Sequence, residues 1–242
     1  MAQELILLAH FTKDPFLINV YKNKQDFYTM VASKMFNKDV SECGDGTVYR
    51  TRAKTIVLSL LYGKATFTLA KDLGIDKEEA ELLVEEFFNN FTNVKQWMDN
   101  NLKFCKENGY VEMLYGRKRR LPNITSSDWK LYGRAERQGK ANAIIQGSAS
   151  IQTKLVMIAL DKWCNTYSNS TRKFALISSI HDEVLVKVPK DVTFAEMRRL
   201  EDIMINTLPL DVPSKTDIEL SNNWGKLKNI KNIFPEWRVT NG

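Results

Sequence analysis

From Arg50 to Tyr62 two cations, an apolar side chain and a phenol recur at every fourth position (Arg50, Lys54, Leu58, Tyr62), and Gly63 follows directly. A period of four fits a helix, where such residues stack along one slowly drifting face. A glycine directly after the last repeat ends the helix, because it enters left-handed backbone without strain. A face of this kind suits a ligand with anionic phosphates, a sugar and a flat base. It equally describes a solvated basic helix with one tyrosine, and spacing alone leaves both readings open.

The chain has 242 residues, enough for one large domain or two smaller ones. Its 35 Lys and Arg exceed 29 Asp and Glu, giving a net charge of +6 that fits a polyanionic partner without requiring one. Cys43, Cys105 and Cys164 are odd in number and have no C-x-x-C spacing. A disulfide framework or zinc site is therefore not expected, and a reducing, cytoplasmic compartment is. No apolar run approaches the roughly 20 residues of a membrane span, so no membrane partner is expected. The opening residues, with Glu4 inside their apolar stretch, do not read as a signal peptide.

There are no repeats and no low-complexity tracts. Residues 38 to 46 are polar and turn-rich and read as a loop leading into the Arg50 helix. A short helix is expected up to Gly74. Asp76 with Glu79 forms a helix-start signal ahead of an apolar face of Leu82, Leu83, Phe87, Phe88 and Phe91. A further helix is expected from Val94 to Glu107 with Trp97, Leu102 and Phe104 buried, then a hairpin over Gly109 to Pro122. Helix formers dominate from Ala135 to Trp163. Two β-rich runs, Phe174 to Ile180 and Val184 to Val188, are separated only by His181, Asp182 and Glu183, and Ile218 to Leu220 reads as an edge strand. The class is α+β, with a helical middle and a small antiparallel sheet near the end of the chain.

Three constellations can carry chemistry. Val184, Val186 and Val188 share one strand face, so Asp182 and Glu183 stand at the tip of an apolar ribbon expected to be buried. Acidic turns are common. As a functional group, Asp182 suits Mg²⁺, a hard cation that takes one or two carboxylates together with substrate phosphates, and a two-ion site needs a second carboxylate. Arg117, Lys118, Arg119 and Arg120 put four cations in a row at a turn, read as a solvated or nuclear-targeting tract or as a phosphate-backbone contact. Asn142 and Gln146 lie four apart on a helix before Gly147; amides there are ordinarily solvated, but they also read base-edge acceptors in a minor groove. His10 reads as a partly buried structural histidine.

In this order the pieces resemble a family A DNA polymerase, the bacterial polymerase I type, over nearly the whole chain. The Arg50, Lys54, Leu58, Tyr62, Gly63 pattern is similar to motif B of the fingers. Ser179 to Glu183 is similar to motif C, whose Asp is a metal ligand. Tyr110 to Arg120 is similar to the family's YVETLFGRRR-like segment, and Asn142 to Gly147 to its NxxxQG helix. The resemblance implies template-directed DNA synthesis, a nucleotidyl transfer from dNTP to a primer end with two Mg²⁺ ions. It implies palm at residues 1–30, fingers at 31–133 and palm again at 134–242, a partial right-hand fold without a thumb. The compact spacing leans towards a phage-type member.

The resemblance also implies roles. Arg50 and Lys54 would grip the triphosphate as catalytic cations, Lys54 also acting on the leaving pyrophosphate. Leu58, Tyr62 and Glu4 would complete the dNTP site, Tyr62 at the template base and Glu4 at the sugar 2′ position. Asp182 and Glu183 would face the metal. Asn142, Gln146, His181, Arg117 and Arg119 would contact the template–primer. Four positions depart from the family pattern. Leu58 stands where an aromatic ring is usual, Ile151 stands where an acid is frequent, and Arg137 lies one residue further from Asn142 than the family arginine. With Glu4 aligned on motif A, Met1 falls on its serine, so the metal-binding Asp would precede the chain. An upstream polypeptide carrying that Asp and the thumb is therefore an expected partner. The alternative expectation is an inactive fragment that binds nucleotide or template–primer. Glu4 and Glu183 argue against a single-subunit RNA polymerase.

Overall fold

The computed structural model describes residues 3–237, and these fall into two compact units, 3–151 and 152–237. The class is α+β: ten α-helices and three two-stranded antiparallel sheets among the described residues. The first unit opens with α1 (Gln3–Thr12), α2 (Pro15–Lys22) and α3 (Phe27–Phe36). Helix α1 carries a continuous apolar run and buries Leu5, Ile6, Leu7, Leu8 and Ala9, as a central core helix does. Asp14 caps α2 by accepting from the Phe16 and Leu17 amides, and Pro15 sits in its first turn, where the missing N–H costs nothing. Asp26 caps α3 through the Thr29 amide at 2.9 Å; a cap of this kind contributes about 1 kcal/mol.

The expected loop at 38 to 46 contains one 3-10 turn, Val40–Cys43, capped by Asp39, and leads into α4 (Val48–Leu61). The Thr47 hydroxyl caps α4 through the Arg50 amide at 3.3 Å. The helix buries Ala53, Ile56, Val57 and Leu61 and ends as predicted: Gly63 takes φ +65°, the Lys64 amide bonds to Ser59 O at 2.8 Å, and the Gly63 amide bonds to Leu60 O at 3.1 Å. These two crossed bonds satisfy carbonyls that the helix end would leave unpaired. Helices α5 (Thr66–Leu73), α6 (Lys77–Asn90) and α7 (Thr92–Asn108) follow, with Asp76 capping α6 through Glu79 as the sequence signal implied.

Two burial expectations are corrected here. Leu82 is 66% exposed and Phe104 37% exposed. Helix α6 instead buries Ala80 and Phe87, and α7 buries Val94, Met98 and Cys105, so each inward arc is narrower than its apolar content suggested. The hairpin forms as strands β1 (Tyr110–Glu112) and β2 (Lys118–Arg120), packed over a cluster of Cys105, Val111, Leu121, Ile124, Ala135 and Ile144.

Helix α8 (Trp129–Arg137) runs through a π turn at Gln138–Asn142 into α9 (Ala143–Tyr167). The combined helix, Trp129–Tyr167, includes a stretch long and apolar enough to cross a membrane by length and composition. That differs from the expectation of no such run; core helices of soluble proteins pass the same criterion.

In the second unit, strands β3 (Ala175–Ile180) and β4 (Glu183–Lys187) and helix α10 (Phe194–Asn206) cover a core of Val156, Leu160, Trp163, Phe174, Met197, Leu200 and Ile230. Two short strands, β5 (Glu219–Leu220) and β6 (Lys228–Asn229), complete it. The three cysteines are buried free thiols.

Gly63 gives the first test. A Cβ there would lie 2.7 Å from Arg137 Cβ and 3.3 Å from Arg137 Cα, on backbone already at φ +65°. Gly63→Ala is therefore expected to cost about 1–3 kcal/mol and to lower Tm by about 2–4 °C per kcal/mol. Gly44→Ala, with nothing within 4 Å of its added carbon, is the control expected to leave Tm nearly unchanged. Equal melting of both variants in a thermal scan would refute this reading of the α4 end.

Candidate functional site

In the first unit the repeating face of α4 meets the N-terminal end of α3. The Asp26 carboxylate, already the α3 cap, accepts from Arg50 Nε at 3.0 Å and Nη2 at 3.2 Å, a bidentate pair. Arg50 Nη1 donates to Asp45 at 2.7 Å. The Tyr28 ring stands beside both cations of the repeat, 5.7 Å from the Arg50 guanidinium and 5.8 Å from Lys54 Nζ. At the other end of the face, the Tyr62 hydroxyl donates to Glu4 on α1 at 3.3 Å. Leu58 lies half-buried between Lys54 and Tyr62.

The electrostatics follow this geometry. Burial raises the Asp26 carboxyl, but the Arg50 bonds and the Thr29 amide outweigh it and hold the group at about 2, below the ordinary 3.8. Arg50 is pushed up, first by its bond to Asp26. Burial raises the Tyr28 phenol to about 12, and the fields of Glu4 and Tyr62 add to that rise. Four of the five residues expected at a nucleotide site, Arg50, Lys54, Tyr62 and Glu4, thus surround one tyrosine. Sequence reasoning missed Tyr28, Asp26 and Asp45. Asp26 was legible as a helix cap before Phe27, but its pairing with Arg50, 24 positions away, was not.

The second group is a cleft of about 380 Å³ between the β1–β2 hairpin and the start of α9. Arg117 and Arg119 line one side, and Asn142 and Gln146 the other. The hairpin turn is fixed to α9 at two points. The Leu114 amide donates to the Ser148 hydroxyl at 3.1 Å, and Gly147 leaves room for Met113, whose Sδ would lie 1.9 Å from a Cβ at that position. Lys118 is turned to Tyr110, donating to its hydroxyl at 3.1 Å.

A π turn follows Arg137 and closes with the Ala143 amide bonding to Gln138 O, five residues back. Gln138, Asn142 and Gln146 line the cleft together, while Arg137 lies against Gly63. Ile151 is buried, which suits its apolar side chain. His10, half-buried, sits edge-on to Phe11 at 5.4 Å, and burial, with Lys13, lowers its pKa.

The third group belongs to the second unit. Strand pairing brings Ile180 opposite Glu183, so the turn is the two residues His181 and Asp182, with Glu183 the first residue of β4. His181 takes φ +56°, a left-handed conformation uncommon for a residue with a side chain. His181, Asp182 and Glu183 are all exposed. The ribbon is not buried as expected: the register shifts between Leu176 and Ser178, leaving Ile177 as an unpaired bulge that is 57% exposed. Only the Val184, Val186 and Val188 face packs against the core. Among the described residues no three His, Cys, Asp or Glu side chains gather to hold a metal ion. Asp182 and Glu183 can supply part of a Mg²⁺ shell, because that ion takes few protein ligands. They do not form a complete two-ion site.

Comparison with known proteins places these groups in context. The sequence pattern of DNA polymerase family A matches residues 1–226. The chain is 33% identical over 228 residues to DNA polymerase I of Caldicellulosiruptor bescii, covering 93% of this chain and 26% of that protein. It is 34% identical over 227 residues to DNA polymerase I of Streptococcus pneumoniae, covering 93% and 25%. It is 32% identical over 225 residues to the thermostable DNA polymerase I of Thermus filiformis, covering 93% and 26%. The chain thus spans about a quarter of the length of these relatives. Among solved structures, the POL domain of Pol1 from M. smegmatis, in complex with DNA primer-template and dNTP, superposes with a TM-score of 0.79 at 31% identity, over 87% of this chain and 36% of that one.

The depressed Asp26 carboxyl makes a pH prediction. Its folded value of about 2 lies below the ordinary 3.8, so the stability it contributes is present above pH 4 and is lost as pH falls towards 2. Because the carboxylate is 51% exposed, solvent screening keeps this contribution small, about 1 kcal/mol or less. In acid titrations followed by circular dichroism, Asp26→Asn should lose less stability between pH 4 and 2 than the unaltered chain. Parallel acid curves would contradict the pairing.

Proposed function

The chain belongs to DNA polymerase family A, and from that membership we propose that it forms the fingers and part of the palm of a template-directed DNA polymerase. The observation that carries this reading is the gathering of Arg50, Lys54, Tyr62 and Glu4 around Tyr28 on one face. In the reaction, the primer 3′ hydroxyl forms a bond to the α-phosphorus of a dNTP while the bond to pyrophosphate breaks. Little covalent chemistry falls to the protein, so positioning and charge neutralisation account for most of the rate.

Arg50 and Lys54 hold the triphosphate, and Lys54 neutralises or protonates the leaving pyrophosphate. Tyr62 stands at the template base, and its bond to Glu4 fixes that carboxylate as a wall at the sugar 2′ position, favouring deoxyribonucleotides. Leu58 supplies apolar contact where a ring would stack. Arg117 and Arg119 take phosphates of the template–primer while Asn142 and Gln146 read minor-groove edges. His181 adjoins the primer end.

Asp182, with Glu183, is this chain's contribution to holding Mg²⁺, which when bound neutralises phosphate charge. Catalysis then needs a further polypeptide segment that supplies the remaining carboxylate and the thumb; this chain spans about a quarter of the relatives' length. A cytoplasmic location accompanies this role. The second reading is a nucleotide- and template–primer-binding piece without catalysis.

Primer extension with Mg²⁺ separates the two. The 242-residue chain alone is expected to bind template–primer without extending it, and the mixture with the complementing polypeptide to extend it. A mixture that binds and does not extend would favour the second reading. In the active mixture Asp182→Ala should abolish extension while template–primer affinity stays within about twofold. Lys54→Ala should slow turnover by about 10²–10³-fold, the usual loss for one charge-stabilising donor, with affinity little changed. Equal loss of binding and turnover in either variant would contradict these roles.

A further inference from the structure

Arg50 holds two aspartates in very different ways. Asp26 is rooted: it caps α3 through Thr29 and grips Arg50 by both oxygens. Asp45 is hung on a Gly44-Asp45-Gly46 turn, its side chain 90% exposed against 51% for Asp26. Neither flanking glycine has any atom within 4 Å of where a Cβ would stand, and although Thr47 holds Gly44 O through its amide at 3.2 Å and its hydroxyl at 2.9 Å, the Asp45 side chain has open space to swing into. A guanidinium offers five N–H groups. Asp26 occupies the edge formed by Nε and Nη2, and Asp45 sits on Nη1, the nitrogen that faces away from Asp26.

From this asymmetry we propose that Asp45 is an internal stand-in for a phosphate, occupying Arg50 in the unliganded chain and released when a triphosphate arrives. The proposal rests on the reading of Arg50 as a triphosphate contact. Two anions on one Nη1 repel at contact distance, so an incoming phosphate oxygen must displace the Asp45 carboxylate. Displacement is cheap, because an exposed ion pair contributes little and the Asp45 side chain is 90% exposed. Asp26 stays in place and keeps the guanidinium aimed. Asp45 thereby sets the nucleotide concentration at which Arg50 engages, and it favours ligands with enough phosphate charge to win the exchange over a monophosphate.

The test is equilibrium binding of inorganic tripolyphosphate, and of inorganic phosphate for comparison, to the full chain at low ionic strength. Asp45→Asn is expected to bind tripolyphosphate about fivefold more tightly, the upper range of an exposed pair, and to narrow its preference over phosphate. Asp45→Glu, which restores the charge, should return affinity towards that of the unaltered chain. In an Arg50→Ala background the gain from Asp45→Asn should vanish. An unchanged affinity in Asp45→Asn overturns the proposal, as does a gain that survives in the Arg50→Ala background, which would mark a general charge effect. If Arg50→Ala binds tripolyphosphate as well as the unaltered chain, the reading of Arg50 as a phosphate contact fails and this inference falls with it. If Arg50→Ala weakens binding and Asp45→Asn changes nothing, only the inference fails.

Discussion

The contact between Asp26 and Arg50 is the constraint on which the proposed nucleotide face depends. One carboxylate closes the first turn of α3 and clamps the side chain at the third position of α4. It therefore fixes both helices where their functional residues begin, with Tyr28 on one side and Arg50 and Lys54 on the other. As an exposed pair it contributes about 1 kcal/mol or less to stability. The stability of the unit comes from burial of Ala53, Ile56, Val57 and Leu61 on α4 and of Val31, Ala32 and Met35 on α3. The pair orients what that burial holds together.

Backbone adjustments do the rest of the positioning. Gly63 turns the chain out of α4 against Arg137. Gln138, at the start of the π turn, lines one cleft with Asn142 and Gln146, and Gly147 with Ser148 seats the cationic hairpin across from them. Each device is local, and each brings a polar side chain to a face that packing alone would have left to chance.

How much of this was legible in the sequence depended on whether the signal was local. The α4 repeat, its glycine stop, the Asp76 cap and both hairpins are written in adjacent residues and appear where expected. Burial was read less well. Leu82 and Phe104 lie on apolar-rich helices, but each helix buries a narrower arc than its composition allows. The bulge at Ile177 could not be read, because register is set by the partner strand and not by alternation within one run. At the site, the bond of Arg50 to Asp26, 24 positions away, is a long-range fact that only the fold creates, and the hold of Asp45, 5 positions away, depends on the turn that precedes α4. Arg137, one residue further from Asn142 than the family arginine, does not line the cleft that Asn142 and Gln146 form.

The Arg50–Tyr62 face is proposed to seat a nucleotide triphosphate, and phosphorus NMR of a dNTP titrated into the chain tests this. The β and γ resonances are expected to shift or broaden on binding, and the perturbation to be lost when Arg50 and Lys54 are both replaced by alanine while the fold is retained. Perturbation that persists in the double variant would contradict it.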